Sequence, residues 1–414
     1  MKHEIKTIEL PCGKLEVGMF VSQLDRPWLD TPFPLQGFLL RTRRDIELLQ
    51  QFCDYVYIDT VKGRKPKGGV SPLSVNIKDS LQRRRKLLPD VKLHNYVDVA
   101  PLEEEMPVAK ALYKDFSANV AYLMDEMSRG ASFQLKKFQA LVAPMVESVI
   151  RNPDACALMA RMKNQDSYAY KHSMSVSVWC VIMGRQLGLS QKDLEELAVG
   201  GLLLDVGKLQ LPAELLMQAR RLEDHEFELM KSHVARGMET VQNIEGVSRT
   251  ILAMVENHHE RHNGSGYPRG MAANTIPIYA RIASLADCYD AITSQRPYAH
   301  PLPPSEAVRK LYEWRNVEFQ AELVEEFIQA VGIYPAGTLV ELTDGQVGIV
   351  IGEYRSRRLR PRLLMLLDGE KNLYDVPKEL DLLDCLETSA GRPLHIERSL
   401  EPGSYDIDPE TLYI

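Results

Sequence analysis

The sequence predicts a mainly α-helical protein with a small α+β domain at its front and a short β-rich extension at its back. Three observations predict it. From Pro107 to about Val331 apolar residues recur at helical spacing, punctuated by helix-stop signals such as Gly188 and Asn152-Pro153. Before residue 60 the pattern is instead one of short alternating runs broken by proline and glycine. After residue 336, GTLVELTDGQVGIVIGEY sets Asp344-Gly345 between two alternating runs, the turn chemistry of a β-hairpin.

In the front domain, residues 1–60, a helical stretch from Arg44 to Phe52 precedes a strand at Tyr55-Val56-Tyr57-Ile58. Residues 61–105 change character to KGRKPKGG, LQRRRKLLPD and EEE, and read as a charged, solvated linker rather than an anion-binding patch. The helical domain occupies residues 106–335. In the extension, residues 336–385, Arg362 to Leu367 supplies a third strand, and residues 386–414 read as a polar, loosely held tail. No internal repeat is visible.

A chain of 414 residues buries enough core to fold without disulfides or structural metals. With 45% hydrophobic residues, 26% charged residues and a net charge of −7, its composition points away from a nucleic-acid polymer as main partner. Apolar runs such as Val176 to Gly184 fall far short of the roughly 20 residues of a membrane helix. The opening MKHEIKTIELP lacks the apolar centre of a signal peptide, so a cytoplasmic protein is expected. Six scattered cysteines with no Cys-x-x-Cys pair read as reduced thiols.

Within the helical domain, Ser190-x-x-Asp193 reads as a capping box and Gly207 as the stop of the same helix, which puts Asp205 in its last turn. Three, four and seven residues back lie Leu202, Gly201 and Ala198, so Asp205 shares the apolar or small-residue face. A buried carboxylate without a partner would cost several kcal/mol, which demands a metal, a cation or hydrogen-bond donors. Seven of the ten histidines lie between His172 and His300. His172 shares a stripe with Val176, Trp179 and Met183; His233 sits with Met230 and Gly237; His258 and His259 close the apolar helix of Ile251, Leu252 and Val255; Asp287 follows Ala280 and Ala283. Any one of these reads as an ordinary core side chain, but four histidines and two aspartates facing inward together read as one metal site. His225, His262 and His300 fall in exposed contexts and are set aside as ligands.

Oxygen and nitrogen donors without thiolate suit iron, manganese, nickel or zinc; one or two ions are expected, iron or manganese before nickel or zinc. A bridging aspartate favours two, and two ions about 3.5–4 Å apart suit phosphoester hydrolysis.

The segment HHERHNGSGYP, His258 to Pro268, resembles the signature of the HD-GYP family, bacterial cyclic di-GMP phosphodiesterases within the HD metal-dependent phosphohydrolases. The match continues through YKHS (Tyr170 to Ser173), DVGK (Asp205 to Lys208), KSHVARG (Lys231 to Gly237) and ADCYDAITSQRPY (Ala286 to Tyr298), in family order over roughly residues 168–334. Residues 9–59 also resemble an uncharacterised N-terminal domain that often precedes such domains, for which a regulatory role is expected. The resemblance implies an HD-type helical bundle. It implies a first metal held by His172, Asp205 and Asp287, and a second held by Asp205, His233, His258 and His259, with Asp205 bridging. It also implies that Lys208 donates to the phosphate or leaving oxygen, that Arg296 binds the ligand's phosphate, and that Gly264, Gly266, Tyr267 and Pro268 shape the loop beside guanine and phosphate. Read locally, Lys208 is a cation favoured at a helix end, Arg296 a surface ion-pair partner and the loop a tight turn.

The chain departs from the family in several places. Leu204 replaces the histidine of the His-Asp pair and cannot coordinate a metal. Tyr168 stands where some members carry a glutamate for a third ion, so a trinuclear site is not expected. Asn263 replaces a frequent aspartate, and Ala299 occupies an often basic position. Two readings from different classes follow. One is a metal-dependent phosphodiesterase opening cyclic di-GMP to pGpG and onward to GMP, with activity weakened by Leu204. The other is a catalytically silent cyclic di-GMP receptor or a scaffold for other second-messenger signalling proteins. A phosphohydrolase for nucleoside mono- or triphosphates is a third reading, and the GYP loop argues against it.

Overall fold

A computed structural model describes residues 7–25, 38–59, 63–64, 84–161, 168–294, 300–353, 359–385, 387–388, 391, 393–401 and 403–407. The chain divides into two compact units, residues 1–89 and 90–414.

In the first unit, strands β1 (Thr7–Pro11), β2 (Phe20–Leu24), β3 (Phe38–Leu39) and β4 (Tyr55–Asp59) form an antiparallel sheet in the order β1-β4-β2-β3. Helix α1 (Arg43–Phe52) starts where Thr42 and Asp45 form a reciprocal capping box. Its apolar face supplies Ile46 and Leu49 to a core with Leu10, Met19, Val21, Leu40, Val56 and Ile58. The expected α+β module is therefore present, with the Tyr55–Asp59 strand at the centre of its sheet.

The second unit is built around α5. Helices α2 (Leu102–Ser128), α3 (Leu135–Arg151), α4 (Pro153–Arg161), α6 (Gln191–Leu203), α11 (Ile278–Thr293) and α13 (Ala321–Val331) all pack on α5 (Tyr168–Leu187). The sequence of α5 explains this place: from Met174 to Met183 its side chains are buried on every face, as expected of a helix with no wet side. Between α6 and α11 come a short 3₁₀ turn (Val206–Gln210), α7 (Ala213–Leu216), α8 (Asp224–Lys231), α9 (His233–Val241) and α10 (Arg249–Asn257); α12 (Pro304–Glu313) follows α11.

The back of the chain folds as a five-stranded antiparallel sheet, β5 (Leu339–Leu342), β6 (Val347–Gly352), β7 (Arg362–Leu367), β8 (Leu373–Asp381) and β9 (Ile396–Ser399), ordered β8-β7-β6-β5-β9. Gly345, at φ +84°, turns the Asp344-Gly345 hairpin. Ile396–Ser399, within the stretch read as a polar tail, pairs with β5, and Leu394, Ile396 and Leu400 are buried. Alternation there is short, and its apolar positions pack only once the sheet has formed. Among the described residues, no helix is long and apolar enough to cross a membrane.

Candidate metal centre

Helix α6 begins at the expected Ser190–Asp193 capping box but ends at Leu203, so Asp205 lies in a non-helical turn (φ −100°, ψ 7°) rather than in a last helical turn. Packing accounts for the early end. A Cβ on Gly207 would fall 1.9 Å from the carbonyl oxygen of His233 and 2.5 Å from the amide nitrogen of Gly237. The bare Gly207 backbone thus lies directly on the first turn of α9, whose first residue is His233. Sequence reading put His233 on one helix with Met230; the structure breaks that helix at Ser232, and His233 opens the next.

Asp205 is buried, and its two oxygens face opposite ways. Oδ2 lies 3.5 Å from His172 Nε2 and 2.5 Å from Lys208 Nζ, while Oδ1 lies 3.4 Å from His233 Nε2 and 3.8 Å from His258 Nε2. On the Oδ2 side, His172 Nε2 is also 2.9 Å from Asp287 Oδ1. The donor atoms of His172, Asp205 and Asp287 lie within 4.8 Å of one another, as do those of Asp205, His233, His258 and His259. The six residues expected as ligands therefore meet in two groups that share Asp205.

The Oδ1 side fits a divalent cation. His233 Nδ1 donates to Met230 O at 2.6 Å and His258 Nδ1 donates to Val255 O at 2.9 Å, so in each neutral ring Nε2 carries a lone pair. Those two nitrogens lie 3.4 Å apart, next to Asp205 Oδ1, which among the described residues is buried without a hydrogen-bond donor. Converging lone pairs and an orphaned carboxylate oxygen repel one another unless a cation lies between them. Electrostatics keep His233 and His259 ready as donors: burial, with help from Lys208 and His258, pushes His233 down to about 4, and burial beside His258 holds His259 well below its ordinary value. Burial would raise Asp205; the Lys208 ammonium and, on the Oδ2 side, the raised His172 outweigh it and hold the carboxyl well below the usual carboxylate range.

The Oδ2 side differs. Burial would lower His172, but its hydrogen bonds to Asp287 and Asp290 win and raise it to about 8. Asp290, unnoticed in the sequence, accepts from His172 Nδ1 at 2.7 Å through Oδ2 and from Trp179 Nε1 at 3.1 Å through Oδ1. It orients the His172 ring with Nε2 toward Asp205 and Asp287, the arrangement in which a carboxylate behind an imidazole sets its tautomer. The signal was present: Asp290 continues the Ala280, Ala283, Asp287 stripe by one turn. Leu204, wholly buried beside Asp205, adds no donor, so this side offers three candidate donor side chains among the described residues.

The glycine-rich loop folds back over the His258-His259 pair. A Cβ on Gly266 would meet His259 O at 2.4 Å and Arg261 N at 2.5 Å, and Tyr267 N donates to His259 O at 3.2 Å. Gly264 turns at φ +80°, the Tyr267–Pro268 peptide is cis, and the Tyr267 ring stacks on His259 at 4.6 Å. Asn263 Oδ1 accepts from Ser265 N and Oγ, an Asx turn that its side chain makes as well as an aspartate would. Glu260, a second residue missed in the sequence, is buried and accepts from Arg269 N and Met271 N, each at 2.8 Å. Arg296 and Ala299 lie outside the described residues, as does the Tyr168 side chain. Of the histidines set aside, His225 and His300 are exposed and His262 is half-buried.

Residues 153–323 match the HD domain family, and residues 7–138 match a domain of unknown function, DUF3391. A cyclic di-GMP phosphodiesterase of Pseudomonas aeruginosa is 32% identical over 380 residues, covering 90% of this chain and 87% of that protein. The chain belongs to the HD-GYP family. A 3'3'-cGAMP-specific phosphodiesterase of Vibrio cholerae is 35% identical over 142 residues, 34% of this chain and 33% of its own. Among solved structures, an HD-GYP-type protein from Bdellovibrio bacteriovorus aligns over 78% of this chain and 98% of its own, with TM-score 0.47 and 16% identity. The HD match begins at α4 and ends in α13, so it contains every candidate ligand.

Proposed function

We propose that this HD-GYP protein is a metal-dependent phosphodiesterase that opens cyclic di-GMP to linear pGpG and onward to GMP. The observation that carries the reading is the Asp205 carboxylate, whose two oxygens each face a separate set of donors. The Pseudomonas relative's activity on cyclic di-GMP supports the choice of substrate. Divalent ions held there, with iron or manganese expected first and nickel or zinc also compatible with mixed imidazole and carboxylate donors, would neutralise phosphate charge and lower the pKa of a water nucleophile. His172, Asp205 and Asp287 would hold one, and Asp205, His233, His258 and His259 the other.

The chain's own groups do the rest. Lys208 Nζ, paired with Asp205 Oδ2 and one-third exposed, sits at the mouth of the site and can turn its ammonium toward a phosphate or leaving oxygen. Tyr267, stacked on His259 and anchored by its backbone, walls the site and limits water on that side. Arg296 is assigned to the ligand's phosphate by its family position.

The test is anaerobic incubation of the Mn²⁺- or Fe²⁺-loaded protein with cyclic di-GMP, with Leu204→His in parallel and nucleotides resolved by chromatography. The reading expects pGpG from the unaltered protein and faster turnover from Leu204→His. Tight binding with no product from the unaltered protein, and product from Leu204→His, would make it a receptor instead.

A further inference from the structure

We infer that Phe227 is the platform on which a guanine of the bound cyclic dinucleotide stacks; the inference rests on the proposed phosphodiesterase reading. Helix α8, which carries it, buries none of its residues, so folding of the core does not account for an aromatic ring there. Phe227 is 45% exposed. Its neighbours tie it to the metal centre: its ring meets Tyr267 edge-on at 6.4 Å and 83°, and Tyr267 in turn stacks on the candidate ligand His259. Three rings thus run outward from the donor cluster to solvent.

Charge accompanies the aromatic row. Lys231 Nζ lies 4.7 Å from the Phe227 ring centre and 5.6 Å from that of Tyr267. Its partner Glu228, at 2.6 Å, is 69% exposed, a pairing weak enough to exchange for a phosphate. A half-exposed ring carrying a cation, next to the donor cluster, suits a base attached to an anionic backbone, the base taking the place over the ring that Lys231 leaves when it turns to the phosphate. Stacking on one aromatic ring contributes enough binding to account for roughly a tenfold change in affinity.

Phe227→Ala and Phe227→Trp separate the possibilities, each checked for unchanged metal content. For Phe227→Ala, KM for cyclic di-GMP is expected to rise about tenfold, with little change in kcat. The ratio of its kcat/KM to that for methyl p-nitrophenyl phosphate, which lacks a base, should fall equally. Phe227→Trp should restore KM, and its indole emission should be quenched by cyclic di-GMP. An unchanged KM in Phe227→Ala, or an equal loss on both substrates, overturns the inference while leaving the phosphodiesterase reading intact. Failure of the unaltered, metal-loaded protein to bind or cleave cyclic di-GMP overturns both.

Discussion

Replacing Gly207 by alanine tests how the 3₁₀ turn and α9 are fitted together. The new methyl would sit 1.9 Å from His233 O and 2.5 Å from Gly237 N, both backbone atoms that no rotamer change can move. Bringing those contacts to ordinary van der Waals distance requires a shift of more than about 1 Å between the turn and α9. Asp205 precedes the turn and His233 opens the helix, so the 3.4 Å approach of His233 Nε2 to Asp205 Oδ1 is lost with it. Overpacking of this kind costs about 1–3 kcal/mol, and a misplacement of ~1 Å can cost ~100-fold in rate. Gly237→Ala is the internal control, because its methyl would lie 3.4 Å from Gly207 N and Val255 Cγ1, and a helical alanine adds helix propensity. After anaerobic loading, ion content by mass spectrometry and thermal melting should separate the two. Gly207→Ala is expected to lose the ion of the His233, His258 and His259 group and to melt several degrees lower, while Gly237→Ala retains both properties. Wild-type ion content and melting in Gly207→Ala would refute the packing argument.

Other consequences follow from the two unlike sides of Asp205. Because its hydrogen bonds to Asp287 and Asp290 raise His172 to about 8, its protonated form is favoured at pH 7 in the metal-free protein, and an ion entering beside it must displace that proton. Calorimetry in buffers of different ionisation enthalpy should find close to one proton released, falling to none in His172→Ala; no release in the unaltered protein contradicts the assignment. The linkage also has a sign: His172 lies above its unfolded value of about 6.5, so its stabilisation of the metal-free fold is complete below that pH and lost as pH rises through about 8. His233, lowered to about 4, acts oppositely and destabilises the metal-free fold as pH falls from about 6.5 toward 4. Asp290→Asn should weaken metal at the His172 side by about 10- to 100-fold and reduce the proton release there, while the His233 side keeps its ion. Glu260→Ala leaves the amides of Arg269 and Met271 without their acceptor, so KM should rise with ion content unchanged; an unaltered KM would deny Glu260 its part in holding the loop.

Much of this site was legible in the sequence because histidines and aspartates on apolar stripes demand partners, and helix periodicity fixes which of them face inward. His172, His258 and Asp287 were placed by that periodicity and meet in the structure; His233 meets them too, although the helix expected to carry it with Met230 breaks at Ser232. Periodicity could not show that α6 stops before Asp205, since the stop is imposed by α9 packing on Gly207, far along the chain. Asp290 and Glu260 were overlooked for a related reason. The apolar stripe of α11 marks Asp290 as inward without showing what it serves, and Glu260 is recognised only by the loop amides it touches; His172, Trp179 and Met271 reach these carboxylates only in the folded chain. At the chain's end, β9 was missed because four residues of alternation become a strand only beside β5.

The central claim is that one carboxylate serves both groups of donors, and ion counting in Asp205→Ala tests it most directly. Alongside it, His172→Ala and His233→Ala each remove a donor from one side only. The account predicts that Asp205→Ala loses ions from both sides and all cyclic di-GMP turnover, whereas each histidine variant loses the ion of its own side. Retention of the unaltered protein's ion content and activity by Asp205→Ala would contradict it.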